Sequence, residues 1–384
     1  MKLLYAALDQ QVPGTKGGSV HVRAVADGLA ALGHEVHVLT ARGPGGFPAG
    51  AVRWHEMGPP LGVRYARWLR AGRVEAIARA IGAEAVIERY HNFGGEGIRA
   101  AATLGVPSLL EVNAPVVDHP GSRKRLLDRL VLVEPMRRWR DWQCRTATLL
   151  VTPTAAILPP LVERAKVLEI EWGADTDRFR PGAGGPVAFA RGEGDVVAVF
   201  AGAFRTWHGA GHLVEAIRTL RARGETRLKA VLIGDGPELK RVRRAASALD
   251  GVTFTGAIPH DEVPANLAAA DIGVAPFDVA AHAPLALAFY WSPLKVFEYM
   301  AAGLPVVAPR LARLETIVGD LREGVLYDAG RPDALCDALA QLMDPGLRAR
   351  LGAAARARVV GHFSWAAHCA HLDRALREAC GCVS

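Results

Sequence analysis

The chain has 384 residues, 50% of them hydrophobic, with 41 glycines and 24 prolines, which is enough to build two cores rather than one. Its 46 basic and 39 acidic residues leave a formal charge of +7, a statement about partners and not about fold. No apolar run approaches the roughly 18 residues of a membrane-spanning helix, and the five cysteines (Cys144, Cys336, Cys369, Cys380, Cys382) form no C-x-x-C pair, which argues against a disulfide or zinc framework.

Residues 2–8 read as a strand, 19–32 as a helix with Val22, Val25, Ala26 and Leu29 on one side, and 35–40 as the next strand. That is a βαβ unit, which implies a parallel sheet. The chain enters its first strand without a signal-peptide pattern, so a cytoplasmic location is expected, with peripheral membrane contact left open. The loop 11–18 ends in Gly17-Gly18 and fits neither a P-loop nor a G-x-G-x-x-G pattern. It is either a flexible turn or, from its place between the first strand and its helix, a cleft-lining loop.

Further βα units are predicted at 64–80, 84–88, 95–103 and 108–112. Glu111 and Asn113 then fall at the carboxyl edge of the sheet, the edge that carries sites, although an ordinary turn explains Asn113 equally well. Arg64, Arg67, Arg70 and Arg73 recur at every third residue, and Arg123, Lys124, Arg125, Arg129, Arg137, Arg138 and Arg140 follow on a longer helix. Such charge usually marks a solvated helix face; a membrane surface or an anionic acceptor is the functional alternative. No recognition module or aromatic stacking motif accompanies it, so nucleic acid is not expected as a partner.

Composition changes across 171–186. Asp175-Thr176-Asp177 has the spacing of a D-x-D metal grip but equally suits capping at a hinge. The alternation then restarts: strand 196–201, helix 210–222, strand 228–233, a Gly234-Asp235-Gly236 turn into another helix, strand 252–255, helix 264–269 and strand 271–275. Helices at 345–360 and 365–379 close the chain.

From residue 292 the sequence SPLKVFEYMAAGLPVVAP writes a short helix with both ends marked. Ser292 can cap it, Pro293 suits its first turn, and Gly303 with Pro305 stops it. Leu294, Phe297, Met300 and Ala301 form an apolar arc, with Lys295 and Glu298 on the polar side. A lysine in the first turn opposes the helix dipole, and only 7 of the 46 basic residues are lysines. Either an anion sits at that helix start, or Lys295 and Glu298 form a surface pair.

This stretch resembles the donor-nucleotide motif of the retaining GT-B glycosyltransferases of family 4, in the branch that carries SPxKxFEYMAAG. The resemblance implies an α/β fold of two Rossmann-like domains facing across a cleft. Residues 1–180 would bind the acceptor, braced by a C-terminal helix at 362–384, and 181–361 would bind a nucleotide sugar. It implies that Glu298 holds the ribose hydroxyls and that Ser292, Pro293 and Leu294 form the helix start that receives the diphosphate. Lys295 is expected to stabilise the leaving diphosphate. The family's arginine role does not transfer directly; Arg205, two residues along from that position, is the guanidinium expected to fork onto the phosphate instead, with His208 as a neutral or charged further donor. Gly17, Gly18, Gly234 and Gly236 would line the donor, Ile258-Pro259 would receive the base, and the segment 284–290 would lie near the donor sugar.

Several positions depart from the family pattern. Tyr290 stands at the first glutamate of the E-x7-E motif, Ala203 and His208 stand at the arginine and lysine of GRxxxxKG, and Asn113 stands where relatives carry a histidine facing the acceptor. Asp175-Thr176-Asp177 matches an interdomain capping loop, so no metal is implied, and no cofactor beyond the nucleotide sugar itself. The expected reaction is transfer of the sugar to an acceptor hydroxyl with retention, the leaving phosphate helping to deprotonate it. The alternatives are an inactive nucleotide-sugar-binding regulator, or an NDP-sugar epimerase or hydrolase.

Overall fold

The computed structural model describes residues 1–14, 16–58, 67–115, 134–282, 289–331 and 333–381. They form two compact units. Met1–Trp172, Tyr290–Ser292 and Trp365–Ser384 make the first; Gly173–Phe289 and Pro293–Ser364 make the second.

In the first unit the chain runs β1 (Lys2–Val12), α1 (Gly17–Ala31), β2 (Glu35–Arg42), β3 (Arg53–Glu56), α2 (Ala71–Ile81), β4 (Ala85–Arg89), α3 (Glu96–Leu104), β5 (Ser108–Glu111), α4 (Glu134–Thr146), β6 (Leu149–Thr152) and β7 (Val167–Glu169). Its seven strands are parallel in the order β3-β2-β1-β4-β5-β6-β7. Period-two alternation explains why residues 3–8 of β1 are all apolar: Leu3, Tyr5 and Ala7 enter one core and Leu4, Ala6 and Leu8 enter another. The predicted face of α1 is the buried one, with Val22, Val25, Ala26 and Leu29 inside.

The second unit runs β8 (Val196–Ala201), α5 (Ala210–Ala222), β9 (Leu228–Ile233), α6 (Leu239–Ala245), β10 (Val252–Gly256), α7 (Val263–Ala268), β11 (Ile272–Val274), α8 (Leu294–Ala301), β12 (Val306–Pro309), α9 (Ala312–Ile317), β13 (Gly324–Tyr327), α10 (Ala334–Gln341) and α11 (Pro345–His362). Six parallel strands take the order β10-β9-β8-β11-β12-β13. Strand order therefore reverses at β1/β4 in one sheet and at β8/β11 in the other, and the carboxyl edges there are where such folds bind ligands. The last helix, α12 (Trp365–Ala379), packs on the first unit through Leu372 and Leu376.

The chain leaves the first unit at Trp172, earlier than the expected boundary at 180. Residues 173–181 stay with the second unit because Arg356 donates to the carbonyls of Phe179 (2.9 Å) and Thr176 (2.9 Å), while Gly173 packs against the Ser364 backbone. Asp175 caps its own turn, accepting from the amides of Asp177 (3.2 Å) and Arg178 (3.0 Å).

The basic stretches are not uniformly solvated. Arg70 is 5% exposed and pairs with Glu96 at 2.9 Å, and Arg140 is also buried. Arg64, Arg123, Lys124, Arg125 and Arg129 lie outside the described residues. No helix among the described residues is long and apolar enough to cross a membrane.

Candidate functional site at the carboxyl edges of the sheets

In the second unit, Tyr299 ties α8 to the strands where the order reverses. Its hydroxyl accepts from the Ala201 amide (2.8 Å) and donates to the Val274 carbonyl (3.4 Å), spanning the ends of β8 and β11. Its ring lies against Gly273, the position on β11 with no Cβ to obstruct it. At the other end of the helix, Arg356 donates to Ala301 O (2.8 Å), one of the carbonyls the last turn leaves unpaired.

Fixing Tyr299 fixes Lys295, which lies one turn earlier on the same helix. Lys295 is 9% exposed, and its Nζ makes no hydrogen bond among the described residues. The ammonium stands 4.1 Å from the centre of the Phe200 ring and 5.6 Å from that of Phe277, and a Cβ at Gly202 would come within 3.1 Å of it. Burial lowers its pKa to about 7, opposed by Glu298. Glu298 keeps a partly exposed edge, yet desolvation pushes its carboxyl up to about 7 against the pull of Lys295 and Arg178. The surface ion pair is thus not what this helix makes.

Two details of the helix differ from expectation. Pro293 occupies the N-cap position itself, no side chain caps the start, and Ser292 Oγ makes no hydrogen bond among the described residues. Val296 and Tyr299 are buried along with Phe297, Met300 and Ala301, whereas Leu294 is only half-buried. The helix is therefore enclosed on most of its circumference rather than on one arc.

Around this start, the loop after β8 carries Arg205, exposed and 5.6 Å over the Trp207 ring. His208 is half-buried and donates from Nδ1 to the Ala203 carbonyl at 2.5 Å. Burial first, then Lys295, takes its pKa down to about 3, so the ring is neutral and Nε2 presents a lone pair. The role expected of it, donation to the ligand, would need a further proton. Gly234 and Gly236 serve close approach of backbone to backbone: added Cβ atoms would overlap Gly202 O and crowd Phe204. Ile258 is half-buried and Pro259 exposed just past β10; Arg178, which after Lys295 also pulls on Glu298, donates to His260 O (2.7 Å) beside them.

The first unit holds the remaining candidates. Gly17 and Gly18 open α1, with Gly18 pressed on the Gln10 side chain. Tyr290 is 8% exposed and goes with this unit, and burial raises its phenol pKa; 283–288, which include most of the expected sugar-side segment, lie outside the described residues. Asn113 accepts from Trp172 Nε1 (3.0 Å). Glu111 is 1% exposed and accepts from the Tyr5 hydroxyl (2.6 Å), and its other oxygen lies 3.7 Å from His21 Nε2. Burial raises it to about 7. An inward-facing carboxyl of this kind organises the sheet edge instead of presenting itself to a hydroxyl.

His21, Glu111 and His368 form the one group of metal-ligand type found among the described residues, their ligand atoms within 4.8 Å of one another. Hydrogen bookkeeping speaks against a cation there. His368 donates from Nδ1 to Glu171 O (2.8 Å) and so offers a lone pair at Nε2, but Arg89 donates to His21 Nδ1 (3.2 Å), which puts the proton of that neutral ring on Nε2. Two lone pairs and one N–H suit a hydrogen-bond network, and the Arg89 cation stands beside it.

The structure therefore gathers Lys295, Glu298, Arg205, His208, Gly234 and Gly236 at one edge of the second unit. Glu111, Asn113, Gly17 and Gly18 belong to the first. Phe200, Phe277 and Tyr299 were missed as site residues. Only Tyr299 left a trace in the sequence, a hydroxyl-bearing ring four residues after an unexplained lysine.

The model described as Glycosyltransferase Family 4 matches residues 15–178, and that described as Glycosyl transferases group 1 matches 195–345. A GDP-mannose-dependent alpha-(1-6)-phosphatidylinositol monomannoside mannosyltransferase of Mycobacterium tuberculosis is 32% identical over 223 residues, 53% of this chain and 54% of its own, so the match spans about half that relative's length. A GDP-mannose-dependent alpha-mannosyltransferase of the same organism is 28% identical over 94% of this chain and 92% of its own. A glycosyltransferase from Rickettsia africae shares the fold, with a TM-score of 0.73 at 14% identity over 98% of both chains. With a family model on each half and the two parallel sheets in place, the chain belongs to glycosyltransferase family 4, of GT-B fold.

Proposed function

We propose that the chain transfers a sugar from a nucleotide diphosphate sugar to an acceptor hydroxyl, with retention of anomeric configuration and without a metal. The observation that carries this is the buried Lys295 ammonium, without a hydrogen-bond partner among the described residues, at an uncapped helix start beyond the switch point of the second sheet. As the glycosidic bond breaks, negative charge grows on the leaving diphosphate, and preorganised donors aimed there lower the barrier. Lys295 and the backbone amides of the α8 start supply them, with the Arg205 guanidinium free to fork onto a phosphate from its exposed loop. Glu298, one turn on, suits the ribose hydroxyls, while Asn113 marks the acceptor side.

Both relatives named above are GDP-mannose-dependent, which makes GDP-mannose the first donor to test and lipid-linked mannosides sensible acceptors. The experiment incubates the full chain with GDP-mannose, UDP-glucose and ADP-glucose over an acceptor panel, with and without a chelator, and reads the product anomer by NMR. Chelator-insensitive transfer with retention supports the proposal. Donor consumption without an acceptor would point to a hydrolase or epimerase, and donor binding without turnover to an inactive regulator; either would replace it.

A further inference from the structure

Within the second unit, α5, α10, the chain just past β11 and the end of β13 enclose a cavity of about 490 Å³ that the proposed transfer leaves unused. Its volume lies in the range of small-molecule sites, roughly 300–1,000 Å³. Phe277, Tyr327 and Leu335 give it an apolar wall, and His212 and Asp278 stand among the polar groups that line it. We propose that this cavity is a second sugar-binding site, which holds a neutral pyranose unit against the aromatic wall and the Asp278 carboxylate. The inference goes beyond the function proposed above and does not depend on it.

Most charged groups of the lining are already paired. Arg331 donates to Asp337 (3.2 Å), Asp333 accepts from Arg223 (2.8 Å), and Glu215 accepts from Arg218. Asp278 is different. One of its oxygens closes a turn by accepting from the amides of Ala280 (3.0 Å) and Ala281 (3.2 Å), while the other faces His212 Nε2 at 3.8 Å. That spacing is too long for a hydrogen bond. Tyr327 is 7% exposed, and its hydroxyl makes no hydrogen bond among the described residues. Burial and then the Asp278 charge push the phenol above its usual range, so it stays protonated and able to donate. A carboxylate oxygen, a phenol and an imidazole on one cavity wall are thus left without hydrogen bonds.

These three groups select among ligands. A carboxylate only accepts, whereas a protonated phenol and an imidazole both donate and accept. Ring hydroxyls answer all of them, and the C–H face of a pyranose packs on the electron-rich face of an aromatic ring. An anion would meet the Asp278 charge with the lining guanidinium of Arg331 already paired. An organic cation would suit Asp278 and the rings, but it only donates and leaves the phenol proton without an acceptor. The Phe277 ring also stands 5.6 Å from the Lys295 ammonium, so the substitutions that test the cavity belong elsewhere on its wall.

The test is saturation-transfer NMR of the full chain with α-mannobiose, maltose and cellobiose, each with and without saturating GDP-mannose, and with tetramethylammonium as the cation probe. Transfer to at least one disaccharide that persists beside the nucleotide sugar is the expected result. Tyr327→Phe keeps the ring, and His212→Ala changes an exposed position, so thermal unfolding should match the wild type in both. Each should weaken the disaccharide by about three- to tenfold, the loss of one hydrogen bond. Absence of any disaccharide signal overturns the site. So does a signal that either variant leaves unchanged, which would place the sugar elsewhere on the chain. Tetramethylammonium binding in the sugar's stead, weakened by both variants, would make the cavity a cation site and overturn it too. None of these outcomes touches the proposed transfer.

Discussion

The Lys295 ammonium stands 4.1 Å from the centre of the Phe200 ring, buried and without a hydrogen bond among the described residues. A charge so placed costs folding energy, which persists in a site when something outside the unliganded fold makes use of it. Lys295→Met should therefore lower kcat by about 10²-fold or more. Its melting temperature should hold or rise, because an apolar chain of similar length replaces an uncompensated cation. Turnover and thermal unfolding measured side by side decide the matter: a parallel fall in both would make Lys295 a structural residue.

Tyr299→Phe keeps the ring on Gly273 and removes only the hydroxyl that spans Ala201 N and Val274 O. It leaves a buried amide short of its acceptor, a loss of about 1–3 kcal/mol. Since the same bond holds α8 at the switch point, the variant should also lose turnover with little change in acceptor KM. Denaturant midpoints together with steady-state kinetics check both parts; an unchanged midpoint would mean the amide finds another partner.

Much of this was legible in the chain. β8, α5 and β9 were readable to the residue at 196–201, 210–222 and 228–233 because apolar period and turn glycines agree there, whereas β10 and β11 were read with ends shifted by a residue and β12 and β13 were not named. The short β3, β6 and β7, and the capping of α8, were not legible. Four residues such as Arg53–Glu56 carry no period, and they become a strand only because β2 offers its edge. Lys295 and Glu298 were visible as an anomaly in the helix pattern. The environment of Lys295 was invisible, since Phe200 on β8 and Phe277 just past β11 bring their rings to its ammonium. Arg70 misled for the converse reason: regular spacing reads as a solvated face, and nothing local announces the Glu96 carboxylate that takes it inside.

Gly234 has φ 130° and its missing Cβ faces the Gly202 carbonyl. Gly234→Ala meets a left-handed backbone and a backbone clash together, neither of which a side-chain rotation relieves. The strained conformation alone costs about 1–3 kcal/mol. The loop 202–209 would have to move, carrying Arg205 and His208 with it. Expected are a lower melting temperature and a donor KM raised well beyond the acceptor KM; equal changes in the two would place this turn away from the donor.

Glu111 gives the first unit a pH signature of its own. Burial raises its folded pKa from the ordinary 4.5 to about 7, so between those values the folded chain holds a proton that the unfolded chain has lost. Stability from this group is complete below about pH 4.5 and declines as pH rises to 7. The neighbouring imidazoles act oppositely: His21 and His368 are held neutral by burial, His368 down to about 4, so their contribution is present above 6.5 and is lost on acidification. Glu111→Gln keeps an acceptor for the Tyr5 hydroxyl and removes the titration. Melting temperature measured from pH 4.5 to 8 should then climb towards a plateau in the variant, whereas the wild type passes through a maximum and declines. Identical profiles in the two proteins would show that this carboxyl titrates at an ordinary value and is not desolvated by the Tyr5–His21 pocket.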